Sequence, residues 1–575
     1  MSIYLEQAKK WLDSPKLDST IRSELEKSLD DENKLKNYFY SNLSFGTAGL
    51  RGIMQPGTNG MNVHTVMQAT QGLAKVIHEE KAEDRGVVIS YDSRNNSRLF
   101  AEKTAGVLVA NNIKVYMFNE LHPVPALSFA TRHFKCIAGI MITASHNPKE
   151  YNGYKVYWED GAQVPPIPAE KIYNEIKSID IFDDVLYVDF DKACAENKIT
   201  LIKEDFDQIF LNEILKTTIN KDAIKKVADT FKIVYTPLHG SGYKLVPQIL
   251  KMAGAKPENI LTVPEQMILD GNFPTVEKPN PELKSCFNLG IEIAKRENCD
   301  LIIGTDPDAD RMGIAIKTPN GEFMTLSGNQ VGALMLSYII ENSKKNNSLP
   351  KNAAAVKSIV STQLCDRICE KNGVTSINVL TGFKFIGEKI KEFEETKKYT
   401  YIFGFEESYG YLSGTYARDK DAVFAAMLIT EIAAFYRAQN MNLYDALNEL
   451  FEKYGYVKDC VISIKKEGVA AKEEMMATMT KIRENLPRTI NNQKVLKVRD
   501  YKLDKVTDFT SNSTTPTGLP KSDVLFFEME DHSNLVIRPS GTEPIIKLYF
   551  DISGNDKEDC ERKLEEYKKA LTSLV

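Results

Sequence analysis

A serine and a histidine stand side by side where an apolar stretch of the chain ends. Ile137-Ala-Gly-Ile-Met-Ile142 is followed by Thr143-Ala-Ser-His-Asn-Pro148, which contains Ser145 and His146. An apolar, β-branched run that breaks into Asn-Pro is typical of a buried strand ending in a loop. Open α/β sheets bind ligands at the carboxyl ends of their strands. Ser145, with Lys155 not far beyond it, could therefore carry a covalent intermediate, although the same residues could also form a plain turn.

Three aspartates follow a second short apolar run. Thr305-Asp-Pro-Asp-Ala-Asp-Arg311 comes directly after Leu301-Ile-Ile-Gly304. In an extended backbone Asp306, Asp308 and Asp310 would point to the same side. Three carboxylates about 4 Å apart repel one another by roughly 12 kcal/mol at an effective dielectric of 20. A cation removes this repulsion, and oxygen ligands suit Mg²⁺. The pattern predicts a magnesium site; the alternative, a solvated acidic turn, fits poorly with the apolar run before it.

Two later loops carry groups suited to a phosphorylated sugar. Arg538-Pro-Ser-Gly-Thr-Glu-Pro544 combines a guanidinium, two hydroxyls and a flexible glycine, which could bind phosphate or form an ordinary polar loop. Gly404-Phe-Glu-Glu-Ser408 places two adjacent carboxylates after an apolar run, where they could accept hydrogen bonds from sugar hydroxyls. The paired carboxylates of retaining glycosidases face each other across the substrate, which neighbours on one loop cannot easily do. Lys384 and Lys155 are candidates for proton transfer or phosphate binding.

Strand and helix patterns alternate along most of the chain and would position these loops. Apolar runs predict strands at 87–91, 113–118, 232–236, 301–304, 354–360 and 401–403, and helical spacing predicts helices at 99–109 and 331–341. This alternation predicts crossover units on mostly parallel sheets, repeated three times.

The last 120 or so residues have a different pattern. Strands are predicted at 523–528 and 545–550, and Cys560, Leu564, Tyr567 and Leu571 share one helical face. We therefore expect a smaller α+β domain at the end of the chain. At the other end, Asp18 is expected to cap a short helix.

Composition excludes several classes of protein. The 575 residues are 42% hydrophobic and 26% charged, with a formal net charge of −6, so no nucleic-acid partner is expected. No apolar run of about 20 residues exists and the first ten residues lack an apolar signal core, so neither a membrane partner nor secretion is expected. Eight scattered cysteines fit free thiols in a reducing compartment, which predicts a cytoplasmic protein.

Together these segments resemble the α-D-phosphohexomutase superfamily of phosphoglucomutases and phosphomannomutases. The resemblance rests on four motifs in the family's order: Thr143-Ala-Ser-His-Asn-Pro148, Asp306-Pro-Asp-Ala-Asp-Arg311, Gly404-Phe-Glu-Glu-Ser408 and Arg538-Pro-Ser-Gly-Thr-Glu-Pro544. They look like the phosphoserine, metal, sugar and phosphate loops. The implied fold class is α/β, with four domains around a central cleft: three similar α/β/α units with mixed sheets and a smaller C-terminal α+β domain. The expected domains are 1–202, 203–320, 321–453 and 454–575, each carrying one of these loops.

The resemblance also implies residue roles. Ser145 would be the phosphoserine and, with Asp306, Asp308 and Asp310, a ligand of Mg²⁺. His146, Lys155, Lys384 and Arg311 would be catalytic. Substrate binding would fall to Thr47, Arg51, Gly404, Glu406, Ser408, Arg538, Ser540, Gly541 and Thr542.

The implied reaction is reversible transfer of a phosphoryl group between the 1- and 6-positions of glucose. It would pass through phospho-Ser145 and glucose 1,6-bisphosphate, with a phosphosugar as partner. The chain lacks the Glu-x-Ser-Gly-His loop of amino-sugar mutases, and Thr381-Gly-Phe-Lys384 lacks a histidine found in several mannose-active relatives. Phosphopentomutase and phosphomannomutase activities stay as alternatives, as do a metal-dependent phosphatase and a non-catalytic phosphosugar-binding protein. Whether the protein is a monomer or a dimer cannot be read from the sequence.

Overall fold

The computed structural model describes residues 2–46, 49–466, 471–540 and 545–575, without the side chain of Lys472. It contains two compact units. Unit 1 comprises Met1–Thr325, Ile390–Glu395 and Gly410–Asn440, and unit 2 comprises Leu326–Lys389, Thr396–Tyr409 and Met441–Val575. Among the described residues, no helix combines the length and the apolar character needed to cross a membrane.

Unit 1 begins with three helices and a mixed six-stranded sheet. The helices and strands are α1 (Ile3–Asp13), α2 (Ser19–Glu26), α3 (Glu32–Phe39), β1 (Gly49–Ile53), α4 (Val63–Glu79), β2 (Val87–Tyr91), α5 (Ser97–Ala110), β3 (Val115–Phe118), α6 (Val124–His133), β4 (Ala138–Ile142), β5 (Tyr151–Trp158), α7 (Pro166–Ser178), α8 (Phe190–Ala195) and β6 (Ile199–Ile202). The sheet order is β1-β5-β4-β2-β3-β6, in which β5 pairs antiparallel with β1 and β4, and the other strands pair in parallel.

The next part of unit 1 is a mixed five-stranded sheet in the order β11-β10-β9-β7-β8. Its elements are α9 (Asp205–Leu215), α10 (Ala223–Val227), β7 (Ile233–Thr236), α11 (Gly242–Met252), β8 (Ile260–Thr262), α12 (Pro264–Met267), α13 (Asn288–Glu297), β9 (Leu301–Thr305), β10 (Met312–Lys317) and β11 (Phe323–Thr325). β7 pairs in parallel with β8 and β9, whereas β10 is antiparallel to both of its neighbours.

A third α/β segment follows. Its elements are α14 (Gly328–Lys345), β12 (Ala353–Ser358), α15 (Leu364–Asn372), β13 (Thr375–Val379), α16 (Phe383–Thr396), β14 (Thr400–Glu406), β15 (Gly410–Leu412), α17 (Ala422–Arg437) and α18 (Leu443–Tyr454). In unit 2, β12 lies between β13 and β14 and is parallel to both. In unit 1, the apolar helix α17 packs against α10, α11 and β9.

The rest of unit 2 is an antiparallel sheet with two helices. It contains β16 (Tyr456–Lys465), α19 (Ala471–Glu484), β17 (Thr489–Ile490), β18 (Gln493–Asp500), β19 (Lys505–Asp508), β20 (Ser513–Thr515), β21 (Leu525–Met529), β22 (Asn534–Pro539), β23 (Ile545–Gly554) and α20 (Lys557–Thr572). The strand order is β16-β23-β22-β21-β18-β19-β20, with β17 against β18. The four buried residues of α20 are Cys560, Leu564, Tyr567 and Leu571, as its spacing predicts. Three α/β units followed by a C-terminal α+β domain are thus confirmed.

Burial explains why the strands that carry the candidate loops were visible in the sequence. All five residues of β2, β4 and β9 are buried. Central strands of α/β sheets are covered on both faces, so they read as continuous apolar runs rather than as alternating ones. The Asp18 cap is also confirmed, because its side chain accepts hydrogen bonds from the backbone N–H groups of Thr20 and Ile21.

Candidate active site

Ser145 lies in the loop that follows β4, as the sequence predicts. The residue is buried, and its backbone has a φ of 53°, in the left-handed region. A non-glycine residue held in a sparsely populated backbone region costs about 1–3 kcal/mol and persists only where surrounding contacts enforce it. The Ser145 conformation is therefore imposed by its neighbours.

The three aspartates converge, but not by strand alternation. β9 ends at Thr305, and Asp306 to Asp310 form a turn in which Ala309 has a φ of 47°. Asp306 Oδ1 accepts hydrogen bonds from the backbone N–H groups of Asp310 and Arg311, at 3.1 and 3.0 Å. One oxygen from each of the three carboxylates lies within 4.8 Å of the others. The predicted cluster is present, and a turn closed on Asp306 creates it instead of extended backbone.

The serine loop and the aspartate turn meet in unit 1. Ser145 Oγ donates a hydrogen bond of 2.8 Å to Asp306 Oδ2. His146 Nδ1 lies 3.2 Å from the same hydroxyl. Burial, together with the charges of Arg311 and Arg51, holds the pKa of His146 well below its usual range. The lowered pKa favours the neutral imidazole beside Ser145.

Two lysines partly neutralise the carboxylates. Lys155 Nζ lies 2.8 Å from Asp308 Oδ2 and 3.8 Å from Asp310 Oδ2. Lys420 Nζ lies 3.2 Å from Asp310 Oδ2 and 3.0 Å from Asp419 Oδ1. When all four carboxylates are ionised, the two ammonium groups leave two negative charges in this cluster, which one divalent cation would balance. Arg311 lies 3.9 Å from Asp310, but its charge is paired with Glu282 at 2.7 Å.

The pKa shifts in the cluster reflect burial and charge. Burial, followed by the charges of Asp308 and Asp310, raises the pKa of Asp306 well above its usual range. Burial and the charge of Asp308 also raise the pKa of Asp310. Burial opposes ionisation of Asp308 as well, but the charge of Lys155, hydrogen bonds with Asp306 and Lys155 and the charge of Lys420 together outweigh it, so the pKa of Asp308 is lowered.

The donor set of this cluster fits a hard cation. Asp308 Oδ1 and Asp310 Oδ1 are buried and have no hydrogen-bond partner among the described residues. Such oxygens are costly to bury unless a charge or a donor satisfies them. Carboxylate and hydroxyl oxygens are the ligands that Mg²⁺ takes. Ser145 and the three aspartates therefore form a candidate magnesium site.

Two predicted arginines lie near these loops. Arg51, on β1, donates a hydrogen bond of 3.2 Å to Asn147 Oδ1 in the serine loop. Arg311, which follows the aspartate turn, forms an ion pair of 2.7 Å with Glu282. Both guanidinium groups lower the pKa of His146, so both contribute positive potential beside Ser145.

The predicted sugar loop lies in unit 2. β14 extends through Glu406, so Gly404 lies inside the strand, where a Cβ atom would meet the Tyr401 hydroxyl at 2.7 Å. Glu406 Oε1 accepts a hydrogen bond of 2.7 Å from the backbone N–H of Gly382. Ser408 is partly exposed in the turn after the strand. Close packing explains the glycine at 404 without a ligand.

Two ionisable groups close to this loop have shifted pKa values. Burial lowers the pKa of Lys384, which lies in the first turn of α16. Burial and the neighbouring Glu406 raise the pKa of Glu407 to about 7. Glu407 Oε2 also accepts a hydrogen bond of 3.0 Å from the Ser358 hydroxyl.

Only part of the predicted phosphate loop is described. Arg538 belongs to β22 and donates a hydrogen bond of 3.3 Å to the Tyr549 hydroxyl. The backbone N–H of Ser540 donates to the carbonyl of Ile545 at 2.7 Å. The other predicted binding residues Thr47, Gly541 and Thr542 lie outside the described residues.

Two charged residues of the site region were missed from the sequence. Lys420 touches the carboxylate cluster, and Arg94 is buried against the serine loop. Lys420 had a signal, because the run Arg418-Asp-Lys-Asp421 directly precedes the apolar α17 and charges next to a buried helix need partners. Arg94 follows β2 in the same way that Ser145 follows β4, and parallel neighbouring strands bring such residues together.

Comparison with protein families gives a match over most of the chain. Models described as phosphoglucomutase/phosphomannomutase, alpha/beta/alpha domains I, II and III match residues 42–181, 208–321 and 327–454. A phosphoglucomutase of Staphylococcus haemolyticus is 34% identical over 529 residues, 92% of this chain and 94% of the relative. A phosphoglucomutase of Staphylococcus aureus strain MRSA252 is 36% identical over 547 residues, 95% of this chain and 96% of the relative.

Solved structures show the same fold. The open form of pp63/parafusin from Paramecium, a phosphoglucomutase, aligns with a TM-score of 0.71 at 18% identity over 93% of this chain and 96% of its own. A phosphoglucomutase/phosphomannomutase family protein from Burkholderia thailandensis aligns with a TM-score of 0.64 at 17% identity over 92% and 97%.

The fold and the matches define an isomerase that transfers phosphoryl groups within a sugar phosphate. The chain belongs to the phosphoglucomutase/phosphomannomutase family, which confirms the resemblance inferred from its four motifs.

Proposed function

We propose that this enzyme interconverts glucose 1-phosphate and glucose 6-phosphate through phospho-Ser145 and glucose 1,6-bisphosphate. The observation that carries the proposal is the 2.8 Å hydrogen bond between Ser145 Oγ and Asp306, which joins a strained serine to a buried carboxylate cluster. The curated relatives named above support glucose as the sugar.

In the proposed reaction, Ser145 Oγ carries the phosphoryl group between two hydroxyls of the sugar. The phosphoserine donates it to the free hydroxyl of the sugar monophosphate, and the bisphosphate then returns its other phosphoryl group to Ser145. Mg²⁺ held by Ser145, Asp306, Asp308 and Asp310 would supply positive charge that stabilises the transferring oxygens.

Residues of the chain provide the remaining charge and the proton transfer. Arg311 and Lys155 add positive charge beside Ser145, where negative charge develops. His146 Nδ1 lies 3.2 Å and Asp306 Oδ2 lies 2.8 Å from Ser145 Oγ, so either group can accept the serine proton when Oγ attacks a phosphoryl group of the bisphosphate. Lys384, whose pKa is lowered by burial, is the second candidate for proton exchange with the sugar hydroxyl.

The proposed substrate contacts rest on the hydrogen-bonding groups and charges of the side chains. Glu406 and Ser408 would accept hydrogen bonds from sugar hydroxyls, with Gly404 packing the strand that holds them. Cationic and hydroxyl groups would bind the non-reacting phosphate. This set comprises Thr47, Arg51, Arg538, Ser540, Gly541 and Thr542.

We also propose that the enzyme works in the cytoplasm on a diffusing phosphosugar. All eight cysteines are free thiols and six of them are buried, which suits a reducing compartment. The Gly-Phe-Glu-Glu-Ser loop resembles that of the branch containing phosphopentomutases, so ribose 1-phosphate is the competing substrate.

The test compares kcat/KM for glucose 1-phosphate, ribose 1-phosphate and mannose 1-phosphate, each with Mg²⁺ and its matching bisphosphate. We expect glucose 1-phosphate to be preferred. Ser145→Ala should lower kcat by at least about 10⁴-fold, because the covalent carrier is lost. Ser178→Ala, which removes the hydroxyl of an exposed serine, is the matched control and should keep full activity.

Intact-mass measurement completes this test. Incubation with glucose 1,6-bisphosphate should add one phosphate to the unmodified enzyme and none to Ser145→Ala. Preference for ribose 1-phosphate would assign the enzyme to the pentose branch. Substantial activity in Ser145→Ala would refute the phosphoserine role, and release of inorganic phosphate without isomer would indicate a phosphatase.

A further inference from the structure

The guanidinium group of Arg94 binds the backbone of the serine loop. Arg94 Nη2 donates to the carbonyl oxygens of Ser145 and Asn147, at 2.6 and 2.5 Å, and Nη1 donates to those of Pro148 and Tyr151, at 2.8 and 3.1 Å. Four carbonyls that would otherwise repel one another are thus gathered on one positive charge. A lysine in this position could not reproduce the planar arrangement of four donors.

Arg94 is itself held by its surroundings and has no surface to offer a ligand. Its side chain has no exposed area, its Nε lies 3.4 Å from Asp92 Oδ2, and its guanidinium lies 5.0 Å from the centre of the Phe273 ring. All four Nη–H donors point to loop carbonyls. Arg94 therefore acts on the loop backbone and not on a substrate.

Asp92 and Thr143 hold the other side of Ser145. The Thr143 hydroxyl donates to Asp92 Oδ2 at 2.5 Å and accepts the backbone N–H of Ser145 at 2.8 Å. Asp92 Oδ1 also accepts hydrogen bonds from the Ser97 hydroxyl and from the backbone N–H of Arg94. The N–H and the C=O of Ser145 are thereby both fixed by buried side chains that follow β2 and β4.

We propose that Arg94, Asp92 and Thr143 are positioning residues that hold Ser145 in its left-handed conformation and aim its hydroxyl at the carboxylate cluster. This proposal rests on the proposed function of Ser145. Because the two flanking backbone groups of Ser145 are fixed, the direction of its Cα–Cβ bond is fixed as well. A different φ at Ser145 would turn Oγ away from Asp306, to which it now donates at 2.8 Å.

The first experiment uses Arg94→Lys with Arg98→Lys as its matched control. Arg98 lies on α5 and is exposed, with one ion pair to Glu102. Displacement of reacting groups by about 1 Å can cost about 100-fold in rate, so we expect Arg94→Lys to lower kcat about 10- to 100-fold. The KM for glucose 1-phosphate should stay within about twofold, because no substrate contact is removed. Arg98→Lys should match the unmodified enzyme in both constants.

The second experiment separates positioning from folding. Thr143→Val keeps the shape of the side chain but removes the acceptor for the Ser145 N–H and the donor to Asp92. Thr143→Ser keeps the hydroxyl. Thr143→Val should lower kcat and the rate of Ser145 phosphorylation by glucose 1,6-bisphosphate about 10-fold or more at an unchanged KM, and Thr143→Ser should restore both rates.

Each outcome bears on one proposal. An active unmodified enzyme with kcat in Thr143→Val within about twofold of it would overturn the positioning proposal and leave the phosphoserine role standing. An equal loss in Thr143→Ser would also overturn it, because the hydroxyl would then not be the cause. An unmodified enzyme that neither isomerises glucose 1-phosphate nor accepts phosphate on Ser145 would refute the proposed function itself.

Discussion

Asp310→Asn tests whether the carboxylate cluster is built around a cation. Asp310 is the best position for this change, because its lysine partners keep other carboxylates. Lys420 still has Asp419 at 3.0 Å, and Lys155 still has Asp308 at 2.8 Å. The substitution therefore removes one negative charge and one ligand oxygen without stranding a buried lysine.

The electrostatic terms at Asp310 nearly cancel when no cation is bound. The carboxylate oxygens lie at most 4.8 Å apart, so at an effective dielectric of 20 the repulsion from each neighbouring aspartate is at least about 3.5 kcal/mol, and two neighbours contribute at least about 7 kcal/mol. Attraction to Lys420 at 3.2 Å and to Lys155 at 3.8 Å amounts to about 10 kcal/mol on the same scale. Arg311 at 3.9 Å adds to this attraction, although its charge is shared with Glu282 at 2.7 Å. The raised pKa of Asp310 shows that burial outweighs this small surplus. We expect the metal-free variant to be as stable as the metal-free unmodified enzyme, or more so.

The effect of Mg²⁺ should differ sharply between the two proteins. A cation at about 100 times its Kd stabilises the unmodified enzyme by about 2.7 kcal/mol, or roughly 2–4 °C in Tm for a unit or chain of this size. Asp310→Asn should lose most of this shift, because one of the three carboxylate ligands is gone.

The assay is thermal unfolding of the full chain in EDTA and in a Mg²⁺ series. Asp183→Asn is the control, since the Asp183 side chain is 83% exposed and forms a surface ion pair with Lys16. The control should show the Mg²⁺ shift of the unmodified enzyme. An undiminished shift in Asp310→Asn, or a metal-free Tm well below that of the unmodified enzyme, would refute this account of the cluster.

Two further predictions concern substrate binding and pH. Arg538→Ala should raise the KM for glucose 1-phosphate about 10- to 100-fold through loss of a charge-assisted hydrogen bond, with the Mg²⁺-induced Tm shift unchanged. Arg499→Ala, on the same sheet, is the control, and an unchanged KM for Arg538→Ala would count against phosphate binding there. Burial raises the pKa of Asp421, the N-cap of α17, from its ordinary 3.8 to about 6. The folded protein holds this proton more tightly than the unfolded chain, so rising pH from about 4 to about 6 should cost about 3 kcal/mol relative to Asp421→Asn, with the loss persisting above pH 6. Urea unfolding of both proteins at pH 4 and pH 7 measures the difference, and parallel stability curves would contradict it.

The sequence by itself determined where the main strands and helices lie and, through its four motifs, to which family the chain belongs. The buried strands β2, β4 and β9 read as apolar runs because both of their faces are covered. The ends of these runs in turn predicted where the candidate loops begin. The apolar face of α20 was visible for the same reason, since helical spacing alone defines it. The four-domain division at 1–202, 203–320, 321–453 and 454–575 and the roles of the site residues stay predictions.

Only the tertiary structure decided how the site is assembled. Ser145 and Asp306 are 161 residues apart in sequence, and Lys420 joins them from the loop before α17. No local pattern encodes such contacts, because they arise from packing between separate sheets. The aspartates themselves show the difference: the sequence supplied three carboxylates at alternate positions, but a turn closed by hydrogen bonds to Asp306 brings them together. The left-handed φ of Ser145 is likewise fixed by Arg94 and Thr143, whose side chains reach the serine loop through the fold.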